Sequence, residues 1–168
     1  QVEAEVVETV PCPAEPTVKV TLYQGIPKGD KMDMICQKCT EAGIARIVPV
    51  EMERCVAKID RKDAEKKVQR WQRIIQEAAK QSGRAQVPVV EPPITVKQLK
   101  DRMAAHALTL VPWEEAESGG IRGAWNGEED VAILIGPEGG ISEKEIVDAA
   151  ADTVGGHLLS ANEDSLSP

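Results

Sequence analysis

Two apolar runs, ALTLV at residues 107–111 and VAILI at 131–135, constrain this chain more than any other feature. A strand wetted on one side alternates apolar and polar residues. A run of Val, Ile and Leu asks for burial on both faces, as in the middle of a parallel sheet covered by helices. The rest of the chain supplies the partners. Residues 17–24 place Val18, Val20 and Leu22 on one face of a strand, and 47–50 form a short apolar strand. Residues 87–90 are strand-like but are bounded by Pro88 and by Pro92-Pro93, which predicts an edge position.

Helical spacing fills the intervals. Asp30 caps a helix through Ala42, with Met32, Ile35, Cys36 and Cys39 at helical spacing and Gly43 as its stop. A long helix over 63–81 carries Ala64, Val68, Trp71, Ile74, Ile75 and Ala78 as its buried stripe, and Gly83 ends it. Thr95 caps a helix to about Ala105, and Ser142 with Glu145 forms a capping box for a helix to about Ala151. This strand–helix alternation predicts an α/β fold, a mostly parallel sheet with helices on both faces.

A chain of 168 residues fits one domain, or one with a small appendage. Aromatic residues make up only 2% and Phe is absent, so the core must be built from Val, Ile, Leu, Ala and Met. No apolar stretch approaches the roughly 18 residues of a membrane span, so no membrane partner is expected. The start QVEAEVVETV has no basic or apolar leader region and lacks Met, and its strand-like alternation leads us to expect more chain upstream. Four cysteines without secretory context read as reduced thiols in the cytoplasm.

Formal charge is −8, yet residues 54–84 hold ten Lys or Arg against four Asp or Glu, a net of +6 that leaves −14 on the rest. Because charges beyond ~8–10 Å are screened, such a segment can still meet phosphates locally. Lys66, Lys67, Arg70 and Arg73 are its candidates for phosphate contact; a solvated helix face is the plainer reading.

Several chemistries find no support. Cys36 and Cys39 have zinc or redox spacing, but both lie on an apolar helical stripe and no second pair exists, so core packing is expected and no metal. His106 and His157 are too far apart to make a cluster, and no Walker A, G-x-G-x-x-G or G-x-S-x-G sequence is present. What remains is the loop GPEGG at 136–140, at the end of a buried strand. Ligands of parallel sheets sit beyond the carboxyl ends of strands, glycine admits close approach to backbone, and proline stiffens the turn. Glu138 there can meet a hydroxyl or a positive charge. A tight strand-to-helix connection is the alternative.

Four stretches occur in order: KGDKMDMICQKCTEAGIARIVPV (28–50), RWQRIIQEAAKQSGRAQVP (70–88), LVPWEEA (110–116) and ILIGPEGGIS (133–142). Together they closely resemble the bacterial RsmE family of 16S rRNA uracil-N3 methyltransferases, over about residues 17–155. The resemblance implies a SPOUT fold with a trefoil knot near the C-terminus, a homodimer, and an N-terminal PUA-like barrel for RNA. It implies S-adenosylmethionine as cofactor and N3 of one uridine in 16S rRNA of the small ribosomal subunit as substrate. By position it sets the cofactor against Leu110, Val111, Pro112 and Trp113, and against Ile135, Gly136, Pro137, Glu138, Gly139 and Gly140. Arg84, in the segment resembling the family's QSGR, becomes the candidate for RNA contact and catalysis; a cation at a helix C-terminus is its other reading.

The same resemblance predicts residues 1–24 as the remnant of the barrel, with 2–10 and 18–24 as its last strands, and 25–168 as a SPOUT domain that is C-terminally incomplete. The family's third cofactor loop and knotted tail have no counterpart after residue 160. A catalytically impaired, SPOUT-like RNA-binding homologue is therefore the alternative function.

Overall fold

The computed structural model describes residues 3–13, 15–56, 59–113, 121–150 and 156–160. Its elements run β1 (Lys19–Gly25), α1 (Lys31–Glu41), β2 (Arg46–Glu51), α2 (Arg61–Gln81), β3 (Val89–Val90), β4 (Ile94–Thr95), α3 (Val96–Met103), β5 (Leu108–Trp113), α4 (Ile121–Ala124), β6 (Asp130–Ile135), α5 (Glu143–Ala150) and β7 (Gly156–Ser160). They form one sheet in the order β3-β2-β1-β6-β5-β7, with β4 also on β2. Every registered pair is parallel.

The expected two-sided sheet is present, for the reason the apolar runs suggest. Val131, Ala132 and Leu134 of β6 are all buried, and so are Leu108 to Val111 of β5. Right-handed crossovers put helices that carry the chain in opposite directions along the sheet on opposite faces. Accordingly α1 packs with α2, and α3 packs with α5. The main core joins Met32 and Cys36 of α1, Trp71 and Ile75 of α2, Leu99 and Met103 of α3 and Ile146 of α5 to the strands between them. A smaller cluster of Leu108, Leu110, Val131 and Ala124 lies beneath α4.

Burial settles the cysteines. Cys36 is fully buried, and burial together with the nearby Asp33 pushes its thiol up to about 12, so it stays protonated. The thiols of Cys39 and Cys55 are also raised by burial.

Three expectations need correction. Residues 19–24 are not barrel remnant: β1 lies mid-sheet, bonded to β2 on one side and β6 on the other, so the boundary drawn after residue 24 would cut the central strand. Residues 3–13 carry no strand, although their alternation reads as one. An alternating pattern needs a partner strand for its backbone groups, and the sheet offers none there. The long helix starts earlier than residue 63, because Asp60 supplies the cap and accepts from the Lys62 amide at 3.5 Å. Two short elements, β4 and α4, had no legible signal. β4 follows Pro92-Pro93 and consists of two residues, too few for a period.

Candidate functional site

From β1 the chain winds outward through β2, whereas β6 returns from the other side to lie against β1. The carboxyl ends of β1 and β6 therefore flank the point where the winding direction reverses, the place where open parallel sheets hold ligands. The GPEGG loop closes over it. Leu110 of β5 is in register with Ile133 of β6, and extending that register brings Trp113 level with Gly136. On the far side Trp113 pairs with Ser160 of β7. Three strand ends thus share one edge.

Local forces fix the loop from several directions. Gly140 takes φ of +74° and its amide donates to the Pro137 carbonyl at 2.9 Å, closing a tight turn that glycine adopts without strain. The Gln24 side chain donates to the carbonyls of Gly25 at 2.9 Å and Gly136 at 3.3 Å, tying β1 to the loop. Glu138 accepts the Lys28 amide at 3.1 Å and the Lys31 ammonium at 2.7 Å. The Lys31 bond, helped by the backbone amides, lowers the Glu138 carboxyl to about 2. Glu138 does meet a positive charge, then, but that of this chain's own α1.

The helix behind the loop is held as the capping box predicts. Glu145 accepts the Ser142 amide at 3.1 Å, and the Ser142 hydroxyl accepts the Glu145 amide at 3.4 Å. Buried Glu145 also accepts the Glu53 amide at 2.7 Å from the loop after β2. Beside it, the Arg54 guanidinium donates to the Gly139 carbonyl at 3.0 Å.

These contacts change the reason for the glycines. A Cβ on Gly136 would stand 2.7 Å from the Ile141 side chain, and one on Gly139 would stand 3.1 Å from that of Arg54. The loop's own close packing leaves no room for a side chain at Gly136 without a shift, and little room at Gly139. Access for a ligand comes instead from the edge, where Pro112, Trp113, Ile135, Gly136 and Gly140 are partly exposed. Leu110 and Val111 are buried, so only their backbone faces such a ligand. An apolar, partly exposed edge with backbone polar groups suits a flat ring better than a free anion. Residues 114–116 of the LVPWEEA stretch, and any third loop after residue 160, lie outside the described residues.

The basic residues fall into separate places. Lys66, Lys67, Arg70 and Arg73 are exposed on α2, and among the described residues Lys66, Lys67 and Arg73 have no carboxylate partner. Arg70 does: it pairs with Asp33 of α1, and with Asp30 at 3.6 Å. Arg84 lies where α1 and α2 end, at the amino-terminal edge of the sheet, opposite the GPEGG loop. Its side chain is 6% exposed, and its guanidinium donates to the carbonyls of Ile44 at 2.6 Å and Thr40 at 3.3 Å and pairs with Glu15 at 2.8 Å. That bond and one from the Gln86 amide bring the Glu15 carboxyl down to about 2. In this chain Arg84 joins the ends of two helices to the incoming N-terminal segment and is not brought together with the GPEGG loop.

Sequence patterns gave no role to Gln24, Lys28, Lys31, Glu53 and Arg54, because each meets the loop or the start of α5 only through contacts between residues far apart in the chain. Among the described residues, no three His, Cys, Asp or Glu side chains are grouped to hold a metal, and no helix is long and apolar enough to cross a membrane.

Comparison with known proteins gives a consistent family. Residues 13–160 match the RNA methyltransferase domain family. The chain is 38% identical over 136 residues to ribosomal RNA small subunit methyltransferase E of Bacillus subtilis, covering 77% of this chain and 53% of that protein. It is 33% identical over 147 residues to the protein of the same name from Synechocystis, covering 85% and 47%. The crystal structure of a ribosomal RNA small subunit methyltransferase E from Neisseria gonorrhoeae bound to S-adenosyl methionine superposes with a TM-score of 0.80 at 32% identity, over 89% of this chain and 61% of that one. This chain spans about half the length of the curated relatives it matches.

Proposed function

Because this chain belongs to the RNA methyltransferase domain family, and within it to the RsmE methyltransferases, we propose that it transfers a methyl group from S-adenosylmethionine to N3 of a uridine in 16S rRNA of the small ribosomal subunit. The observation that carries this reading is the seat of the GPEGG loop: braced over the β1–β6 switch point, it shares one partly exposed edge with Pro112 and Trp113.

The residues present suit the cofactor. Trp113 and Ile135 offer apolar surface to an adenosyl group, Gly136 and Gly140 offer backbone, and Leu110, Val111, Pro137, Glu138 and Gly139 hold that surface in place. When bound, S-adenosylmethionine supplies an electrophilic methyl on a sulfonium whose charge disappears in the transfer. Apolar walls that exclude water favour loss of that charge. Uracil N3 must shed its proton as the new carbon–nitrogen bond forms, and a cation near the uracil oxygens stabilises the negative charge that develops. No Cys or Ser nucleophile is required, so no covalent enzyme–RNA adduct should accumulate.

Lys66, Lys67 and Arg73, exposed on α2, serve as the phosphate-facing surface in this reading, with Arg70 beside them. The protein works as a cytoplasmic homodimer of SPOUT type. Mass spectrometry of 16S rRNA from a strain lacking the gene tests the assignment. N3-methyluridine should disappear and return on complementation; if the modified base persists in the deletion strain, the assigned reaction is wrong.

A further inference from the structure

We propose that Arg54, in the loop after β2, is a positioning residue for the cofactor loop, an inference that rests on the methyltransferase reading above. Two contacts of different kinds converge on it. Its guanidinium donates to the Gly139 carbonyl at 3.0 Å, and its aliphatic stem fills the space left by the missing side chain of Gly139, 3.1 Å from where a Cβ would stand. The clamp therefore has a polar and a packing component on one residue of the loop.

Neighbouring contacts make the brace wider than one side chain. The Glu53 amide donates to Glu145 at 2.7 Å, and the Ser142 hydroxyl lies 3.2 Å from the Glu53 carboxylate and 3.1 Å from that of Glu145. The single hydroxyl proton can be donated to either of the two carboxylates. The loop after β2 thus grips the cofactor loop at Gly139 and the start of α5 at Ser142. From the opposite side, Glu138 is already held by Lys28 and Lys31. Arg54 differs from Lys31 in one respect that matters. Among the described residues no carboxylate pairs with it, so its hydrogen bond goes to the loop backbone.

A loop braced this way presents its backbone in the binding geometry before the ligand arrives, which lowers the ordering cost of binding. Removing Arg54 should therefore raise loop motion and weaken the cofactor without touching the phosphate-facing surface.

The test compares wild type, R54A and R54K in the full-length protein. Amide hydrogen exchange of a peptide spanning 134–146, without cofactor, should speed up roughly two- to tenfold in R54A, the range expected for one net hydrogen bond. It should speed up less in R54K, which keeps stem and charge, while a peptide from α3 stays unchanged. The dissociation constant for S-adenosylmethionine should rise by a similar factor, with the salt slope of RNA binding unaltered. Unchanged loop exchange overturns the inference, as does equal acceleration in α3, which would mark general destabilisation. A salt slope lower by about 0.7–0.9 with a quiet loop also overturns it, by making Arg54 a phosphate ligand. If wild type itself fails to bind S-adenosylmethionine, the functional reading falls, while loop exchange still decides whether Arg54 positions the loop.

Discussion

Gly25, the last residue of the central strand, sits so close to Pro137 that a Cβ at position 25 would stand 2.6 Å from both the proline ring and its nitrogen, and 2.9 Å from the carbonyl carbon of Gly136. The clash would fall on backbone, which cannot rotate aside as a flexible side chain can. G25A should therefore cost about 1–3 kcal/mol of stability, the range for overpacking, and should weaken the cofactor beyond that by tilting the loop. Chemical denaturation and cofactor titration of the same sample check both effects. A variant as stable as wild type with normal affinity would show that the fit at this position is slack.

Glu138 makes the loop acid-sensitive in a defined window. Its carboxyl is lowered to about 2 by Lys31 and the backbone amides. A depressed carboxyl contributes stability that is present above its unfolded value, near 4.5, and is lost as pH falls through about 2. Exchange of the 134–146 amides should thus rise between about pH 4.5 and 2 in wild type relative to E138Q, which lacks the charge throughout. Parallel profiles for the two proteins would remove Glu138 as the cause.

Arg84 should behave as a structural residue. Its replacement by Ala strands the Ile44 and Thr40 carbonyls and leaves Glu15 unpaired. Loss of hydrogen bonds from a charged donor predicts a stability loss of about 1.5–3 kcal/mol by denaturant titration, with RNA affinity of the folded fraction nearly unchanged. Should turnover collapse while stability holds, the guanidinium acts on RNA after all.

The four candidate phosphate contacts on α2 should not respond alike. Removing Lys66, Lys67 or Arg73 should reduce the salt slope of RNA binding by about 0.7–0.9 for each phosphate no longer neutralised. Removing Arg70 also breaks its pairs with Asp33 and Asp30, and so should loosen α1 from α2 as well. If all four variants keep the wild-type affinity and slope, the helix face is ordinary surface and RNA binds elsewhere.

Periodicity alone determined much of this architecture. The runs that became β5 and β6, the amphipathic stripe through Trp71 and Ile75, and the Ser142–Glu145 capping box are local patterns, and local patterns are set by spacing along the chain. The order of the motifs also carried the family. What periodicity could not express is which strand ends meet. That β1 lies beside β6, with Gly25 under Pro137, depends on a crossover between residues more than a hundred positions apart. Separations of 85 and 107 positions likewise hid Arg54 against Gly139 and Lys31 against Glu138. Arg84, read from its segment as an RNA-contact candidate or a cation at a helix end, is enclosed by the ends of α1 and α2 and the segment at Glu15, which spacing does not show. A residue's type and spacing decide which element it joins. Only packing decides whether its charge faces solvent, a ligand or another part of the chain, because desolvation and partner geometry are properties of the assembled fold.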